Sequence, residues 1–130
     1  MQSEIRFVTE EPFDVVIQAR GQADVDGFRQ YLGELGADAR WGPGLRILSD
    51  FSELDLATFS ELEVRRVAEL HEVLGDLEGT RCAVVAGSPA NFGVVRMFGA
   101  YIDGRSGLLA HPFIARDEAM AWLSHVEEPA

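Results

Sequence analysis

The segment RCAVVAGSPANFGVVRMFGAYID, residues 81–103, decides the fold because it contains a buried strand, a tight turn and a helix in direct succession. The strand is the apolar run 81–86. The turn Gly87-Ser88-Pro89 is typical of a helix start, with serine as N-cap and proline at the first helical position. A strand, turn and helix in this order are typical of an α/β sheet with parallel strands.

The helix in this segment has apolar residues on two faces, whereas a helix packed on a sheet needs one apolar stripe. Two glycines, Gly93 and Gly99, would let a backbone or an acyl chain approach closely. The first stripe comprises Phe92, Val95, Phe98 and Ile102, and the second comprises Val94, Met97 and Tyr101.

Three interpretations of the second stripe remain open. It is a self-association face of a homodimer, the wall of an apolar pocket, or a surface covered by the last helix of the same chain. The candidate residues for an interface or an apolar pocket are Phe92, Gly93, Val94, Met97, Phe98 and Tyr101.

The rest of the chain extends this unit to the order β-β-α-β-α-β-α-β-α. Apolar periodicity predicts strands at 5–9, 13–19, 45–51, 81–86 and 109–114, and further helices at 25–35, 58–76 and 117–123. We therefore predict a single α/β domain with a mixed, mostly parallel five-stranded sheet, an N-terminal β-hairpin and about four flanking helices. Pro112 makes the fifth strand an edge strand. The domain is expected to span residues 1–126, with 127–130 a frayed tail.

The acidic composition argues against several classes of partner. Among 130 residues there are 22 acids and 11 bases, for a net charge of −11. Such a surface repels nucleic acid and anionic membranes. The sequence has neither a signal-peptide pattern nor an apolar run long enough to span a membrane. We expect a cytoplasmic protein with no nucleic-acid partner and no membrane span, and one cysteine agrees with that compartment.

The sequence gives little support to catalysis or metal binding. His71-Glu72 begins like the zinc-protease motif HExxH, but Gly75 occupies the place of the second histidine, and His71 is expected to be a solvated helix residue. Cys82 is expected to be a buried, inert thiol. GxSxG does not occur, although a triad assembled from distant residues stays open. We predict no enzyme activity, no catalytic residues, no metal site and no cofactor.

Two polar clusters are candidate recognition sites at strand ends, where α/β sheets bind ligands. The first is a corner for phosphorylation or recognition, formed by Asp50, Ser52, Thr58 and Ser60. The second is an anion site at the start of the 89–103 helix, with Ser88 and Asn91, because helix N-termini favour negative charge. Simple helix capping is the alternative for both clusters.

The chain resembles the STAS-like proteins, the fold of bacterial anti-sigma-factor antagonists, over nearly its full length. It is most similar to their SpoIIAA-like bacterial relatives, which are grouped with the CRAL-TRIO lipid-transfer fold. The matching segments are 42–50 (GPGLRILSD), 82–86 (CAVVA), 92–98 (FGVVRMF) and 117–123 (DEAMAWL).

The resemblance implies a non-enzymatic regulatory or protein-interaction module that binds a protein partner or itself. A carrier of an apolar ligand, such as a lipid or fatty acid, is the alternative. In the antagonists a serine at the start of the helix after strand three is phosphorylated, and it aligns with the stretch Thr58-Phe59-Ser60-Glu61. Ser60 or Thr58 would hold that place, but the leading acid and the glycine of the antagonist motif are absent here.

Overall fold

The computed structural model describes residues 1–8, 12–103 and 107–125, and it confirms the α/β class with a mixed five-stranded sheet. A 3-10 helix, His71–Leu74, directly continues the second helix. The strands are β1 Gln2–Phe7, β2 Val15–Gln22, β3 Arg46–Asp55, β4 Arg81–Val85 and β5 Leu109–Phe113; the helices are α1 Val25–Ala37, α2 Glu61–Leu70, α3 Pro89–Ile102 and α4 Arg116–Ser124.

The strands lie side by side in chain order, β1-β2-β3-β4-β5. The first pair is antiparallel and the other three pairs are parallel, which confirms the N-terminal hairpin and the mostly parallel sheet. Because each right-handed crossover advances by one strand in the same direction, α1, α2 and α3 all lie on one face of the sheet. The prediction that β5, which contains Pro112, is an edge strand is also confirmed.

Alternation along the strands sends side chains to two separate cores. Val15 and Ile17 of β2 pack under α1, α2 and α3, in the main core. Val16 and Leu48 point to the opposite face, where they pack against α4 in a smaller core. The last helix therefore covers the sheet face that the three crossover helices leave free.

The third strand is longer than the predicted 45–51, and a β-bulge explains why. The β2–β3 register advances by two residues in β2, from Gln18 to Arg20, while β3 advances by three, from Asp50 to Glu53. The extra residue reverses the alternation, so that Phe51 and Leu54 both face the main core. Because the strand was predicted from a strict alternation of apolar residues, the predicted strand ends where the bulge breaks that alternation.

Other boundaries also differ from the sequence predictions. The second helix begins at Glu61 rather than 58, and its regular part ends at Leu70. The second strand continues through Gly21, which has φ +91°, to Gln22. Predictions for residues 9–11, 104–106 and 126–130, the C-terminal tail included, lie outside the described residues. None of the helices within the described ranges combines the length and the apolar character needed to span a membrane.

Candidate functional site

A cavity of about 60 Å³ lies between the sheet and the layer formed by α1, α2 and α3. Its floor consists of side chains from β2, β3 and β4, and its walls come from α1 and α3. Almost all of the lining is aliphatic or aromatic, and among residues 1–8, 12–103 and 107–125 no Arg, Asp or Glu side chain lines it. A concave, largely apolar space with a few polar groups is the common form of a small-molecule site.

The roof of the cavity is α2 with the 3-10 helix that follows it. The backbone of this segment lies closest to α1 and α3, while its buried side chains, Val67 and Leu74, belong to the main core together with side chains of the strands. In contrast, α3 packs closely on β5, because Gly99 lies so near that an added Cβ would sit 3.4 Å from the Ala110 carbonyl oxygen. The roof is therefore supported at its sides and spans the cavity beneath it.

Besides Trp41, whose indole N–H donates to the Leu74 carbonyl at 3.1 Å, four described side chains with polar atoms line the cavity: Tyr31, Ser49, His71 and Cys82. Ser49 and Cys82, on adjacent strands of the floor, contact each other with Oγ and Sγ 3.4 Å apart. Cys82 is half-buried in the folded chain. Burial raises the pKa of its thiol to about 11, so the thiol stays protonated at neutral pH, as expected for an inert cysteine.

Tyr31 of α1 is only 3% exposed, and within the described part of the chain its hydroxyl has no hydrogen-bond partner. Burial raises the pKa of this hydroxyl, and neighbouring Cys82 adds to the effect. A buried hydroxyl is normally paired, because leaving it unpaired costs about 1–3 kcal/mol. The hydroxyl of Tyr31 is therefore a binding group without a partner.

His71 lies in the roof and is only 8% exposed, so the prediction of a solvated histidine is wrong. Its ring contacts the Phe98 ring, with centroids 4.8 Å apart. Nδ1 lies 2.8 Å from the Val67 carbonyl oxygen, and since a carbonyl can only accept, Nδ1 carries the proton. Burial lowers the pKa of the imidazole to about 4, so the ring is neutral at pH 7 and Nε2 is an acceptor. Among the described residues Nε2 has no partner.

The sequence predicts none of Tyr31, Ser49 and His71 as a site residue, although apolar periodicity places each of them on a buried face. Tyr31 follows Phe28 by three residues on the buried face of α1, and Ser49 alternates between Ile47 and Phe51. His71 follows Val67 by four residues, on the apolar stripe of α2. The spacing therefore identified the buried face, but not the cavity beneath it.

Two of the three residues of the second stripe, Val94 and Tyr101, are covered within the same chain by the region around α2. Val94 lines the cavity with Phe98, while Phe92 packs at the edge of the main core. The Tyr101 hydroxyl accepts a 3.1 Å hydrogen bond from Arg65 and donates one to Glu61, both on α2. The interpretation that the last helix covers this stripe is wrong, because α4 lies on the other face of the sheet.

The two remaining candidates on α3 face outward. Met97 is 37% exposed, which makes it the residue of the second stripe that is still accessible. Nothing lies within 4 Å of a Cβ added at Gly93, so the expected close approach does not occur at this position. Of the two glycines, only Gly99 is approached by a backbone.

The predicted corner is split between the two sides of the sheet. Asp50 and Ser52 lie inside β3 rather than at its end. Asp50 accepts hydrogen bonds from the Ser52 hydroxyl at 2.6 Å and from Arg116 of α4 at 3.4 Å. Thr58 and Ser60 belong to the entry into α2, on the opposite face. The four residues therefore do not form one site.

Thr58 and Ser60 have structural partners in the folded chain. The Thr58 hydroxyl accepts a 2.6 Å hydrogen bond from Gln22. Ser60 is the N-cap of α2, where its hydroxyl accepts from the Glu63 amide at 3.1 Å and the Glu63 carboxylate accepts from the Ser60 amide at 2.9 Å. This reciprocal pair is a capping box, the alternative open at the sequence level.

Ser88 and Asn91 hold the start of α3 to the sheet. Ser88 caps the helix by accepting from the Asn91 amide at 3.2 Å. The buried Asn91 side chain accepts from the Leu56 amide at 3.0 Å and donates to the carbonyls of Leu54 at 2.7 Å and Ala86 at 3.0 Å. All the hydrogen atoms of this amide are used, so Asn91 offers no donor to an anion.

The polar ends of β3 and β4 do lie together, as expected. A Cβ added at Gly87, which has φ +79°, would come within 2.8 Å of the Ser52 Cα. Only glycine combines this backbone angle with so close an approach. This contact positions the start of α3, and through it the wall of the cavity.

Within the ranges 1–8, 12–103 and 107–125, no group of three or more His, Cys, Asp and Glu residues could hold a metal ion. Within the described residues, the cavity with its polar side chains is the candidate site. Comparisons with protein-family models, with curated proteins and with solved structures gave no match to this chain.

Proposed function

We propose that this chain is a non-enzymatic binding protein that carries a small apolar ligand in the cavity beneath α2. The single observation behind the proposal is the cavity itself, with its apolar lining and the unpartnered hydroxyl of Tyr31. Apolar walls supply affinity through burial, and a few polar groups orient the ligand. The carrier interpretation of the SpoIIAA-like and CRAL-TRIO resemblance agrees with this use of the fold.

The size of the cavity limits what it holds without rearrangement. An engineered apolar cavity of about 150 Å³ takes benzene. The 60 Å³ here suits a guest of only a few heavy atoms, and a larger one requires the roof to move outward. Because the backbone of α2 lies closest to α1 and α3, such a movement would leave the pairing of the strands intact.

Native mass spectrometry of the purified protein tests the proposal, first under gentle and then under denaturing conditions. We expect a monomer mass with an added small molecule, and release of that molecule on denaturation. Val94→Phe places extra bulk in the cavity wall, so this variant should purify without the molecule. Gly93→Leu adds bulk one residue away, where nothing lies within 4 Å, so this control should retain it.

A folded wild-type protein without a bound molecule, which also fails to bind xenon, would overturn the proposal. Xenon enters dry apolar cavities irrespective of their polar groups, so it reports on access to the cavity alone. Retention of the small molecule by Val94→Phe would place the binding site elsewhere and would also count against it.

A protein-interaction module of STAS-like type, self-associating as a homodimer, is the second candidate function. It is favoured by exposed apolar side chains on α2, its 3-10 extension and α3: Leu62, Val73 and Met97. The same mass spectra test it, because a dimer mass that Met97→Glu abolishes would support self-association. A monomer at every concentration would count against the homodimer.

A further inference from the structure

Tyr31 and His71 both line the cavity, and each has a polar atom without a partner among the described residues. The hydrogen-bonding characters of the two atoms are opposite. The Tyr31 hydroxyl is available as a donor, and Nε2 of His71 is available only as an acceptor because Nδ1 donates to the Val67 carbonyl. Each group left unpaired in a buried site costs free energy of folding. A ligand hydroxyl both accepts and donates, so it matches the hydrogen-bonding character of each atom.

We propose that the ligand is an uncharged molecule with an apolar body and a hydroxyl group, which accepts from Tyr31 and donates to His71. This inference rests on the proposed carrier function, because it assumes that the cavity is the binding site. It deepens that function by naming the polar group that the cavity selects.

The charge of the lining excludes a carboxylate. Apart from His71, none of the lining residues that the structure describes is acidic or basic, and the low pKa of His71 keeps its imidazole neutral at pH 7. A carboxylate transferred into such a site has no counter-ion, and burying an unpaired charge is far more costly than burying a hydroxyl. The cavity therefore discriminates against a fatty acid anion.

Other neutral ligands satisfy the pair only in part. A ketone or an ether accepts from Tyr31 but leaves Nε2 of His71 without a donor. A hydrocarbon leaves both groups unpaired. Sites built to hydrogen-bond a hydroxyl reject analogues without one, because the buried polar groups of the protein then remain unpaired.

The test compares four small probes of similar size by NMR titration of the full chain at about pH 7. Butan-1-ol has the hydroxyl, methyl propyl ether is its isomer without a donor, pentane has no polar atom, and butyrate is charged. We expect butan-1-ol to bind roughly tenfold or more tightly than the ether and pentane, and butyrate not to bind. Xenon is titrated beside them to report access to the cavity.

Tyr31→Phe is the matched variant, because it removes one hydroxyl that has no partner among the described residues and keeps the ring. Butan-1-ol should then bind no more tightly than the ether, while xenon binding is unchanged. Tyr101→Phe is the control: it removes the hydroxyl of the other tyrosine, which lies against α2 outside the cavity lining, so the preference for butan-1-ol should persist.

The outcomes separate the inference from the function on which it rests. Binding of xenon and pentane without a preference for butan-1-ol would overturn the inference and leave the carrier function intact. The same holds if Tyr31→Phe retains the preference. Failure of xenon and all four probes to bind would overturn both.

Discussion

At the scale of single residues, His71 is the histidine that the fold removes from water. Its imidazole is buried in the roof of the cavity against Phe98, with Nδ1 held by the Val67 carbonyl. Burial disfavours the charged form, so the pKa of His71 falls to about 4 from the ordinary value of 6.5. The same residue that offers an acceptor to a ligand thus also links stability to pH.

We predict that the free energy of unfolding decreases as pH falls from about 6.5 to about 4 because of His71. In this window the unfolded chain binds a proton at His71 and the folded chain does not, so acid favours the unfolded state. Between about pH 7 and about pH 5 the contribution is about 2 kcal/mol. Urea unfolding of the wild type and of His71→Gln at both pH values measures it.

The variant His71→Gln should lose this part of the pH dependence, whereas His111→Gln should keep it. His111 is the matched control because it is exposed on β5. Equal pH dependence in the wild type and His71→Gln would show that the imidazole titrates at its ordinary pKa in the folded protein, and would contradict its burial.

At the scale of elements, the start of α2 is held by its capping box. Ser60 and Glu63 satisfy each other's backbone amides at the first turn, and Glu61 and Glu63 place negative charge where the helix dipole favours it. The cap fixes where the roof of the cavity begins. A change at Ser60 therefore acts on helix stability before it acts on any partner.

We predict that Ser60→Ala lowers the free energy of unfolding by about 1 kcal/mol and that Ser60→Asp leaves it nearly unchanged. Alanine has no acceptor for the Glu63 amide, whereas aspartate caps helices as well as serine does. Urea unfolding of the two variants measures the difference. Equal destabilisation by alanine and aspartate would mean that the Ser60 side chain does not cap α2 in solution.

At the scale of the whole molecule, the excess of negative charge opposes folding. The chain carries −11, and compaction brings like charges closer together. Surface ion pairs such as Arg40–Asp38 and Arg65–Glu61 join near neighbours in sequence, and exposed pairs of this kind add little stability. Repulsion between the negative charges therefore lowers the free energy of unfolding, and salt reduces this effect.

We predict that raising NaCl from about 20 mM to about 500 mM increases the free energy of unfolding, by about 1 kcal/mol, because salt screens this repulsion. The midpoint of urea unfolding at both concentrations measures the effect. Near pH 4.5, the isoelectric point, the gain should disappear because the net charge is close to zero. Loss of stability with salt at pH 7 would mean that ion pairs outweigh the repulsion.

The fold was predictable from local pattern, and the site was not. Apolar strands that alternate with capped helices predict a parallel sheet even when the bounds of single elements are wrong. Pro112 correctly predicted that β5 is an edge strand. In β3 the bulge between Phe51 and Leu54 defeated the alternation rule. The cavity arises because α2 spans between two helices, and the stripe that includes Val67 and His71 shows only that this face is buried. Distances between layers are set by long-range packing, which no local pattern encodes.

Pro112 has a consequence for how copies of this chain meet. Along β5 the Leu109 amide donates to Thr80 at 3.0 Å and the Phe113 carbonyl accepts from Ala86 at 2.7 Å, so these odd-numbered residues turn their backbone toward β4. Backbone groups of the alternate residues face outward, and there proline has no N–H. A second extended chain that pairs with this edge therefore lacks a hydrogen-bond donor at Pro112. Pro112 therefore protects the β5 edge of the sheet against edge-to-edge aggregation.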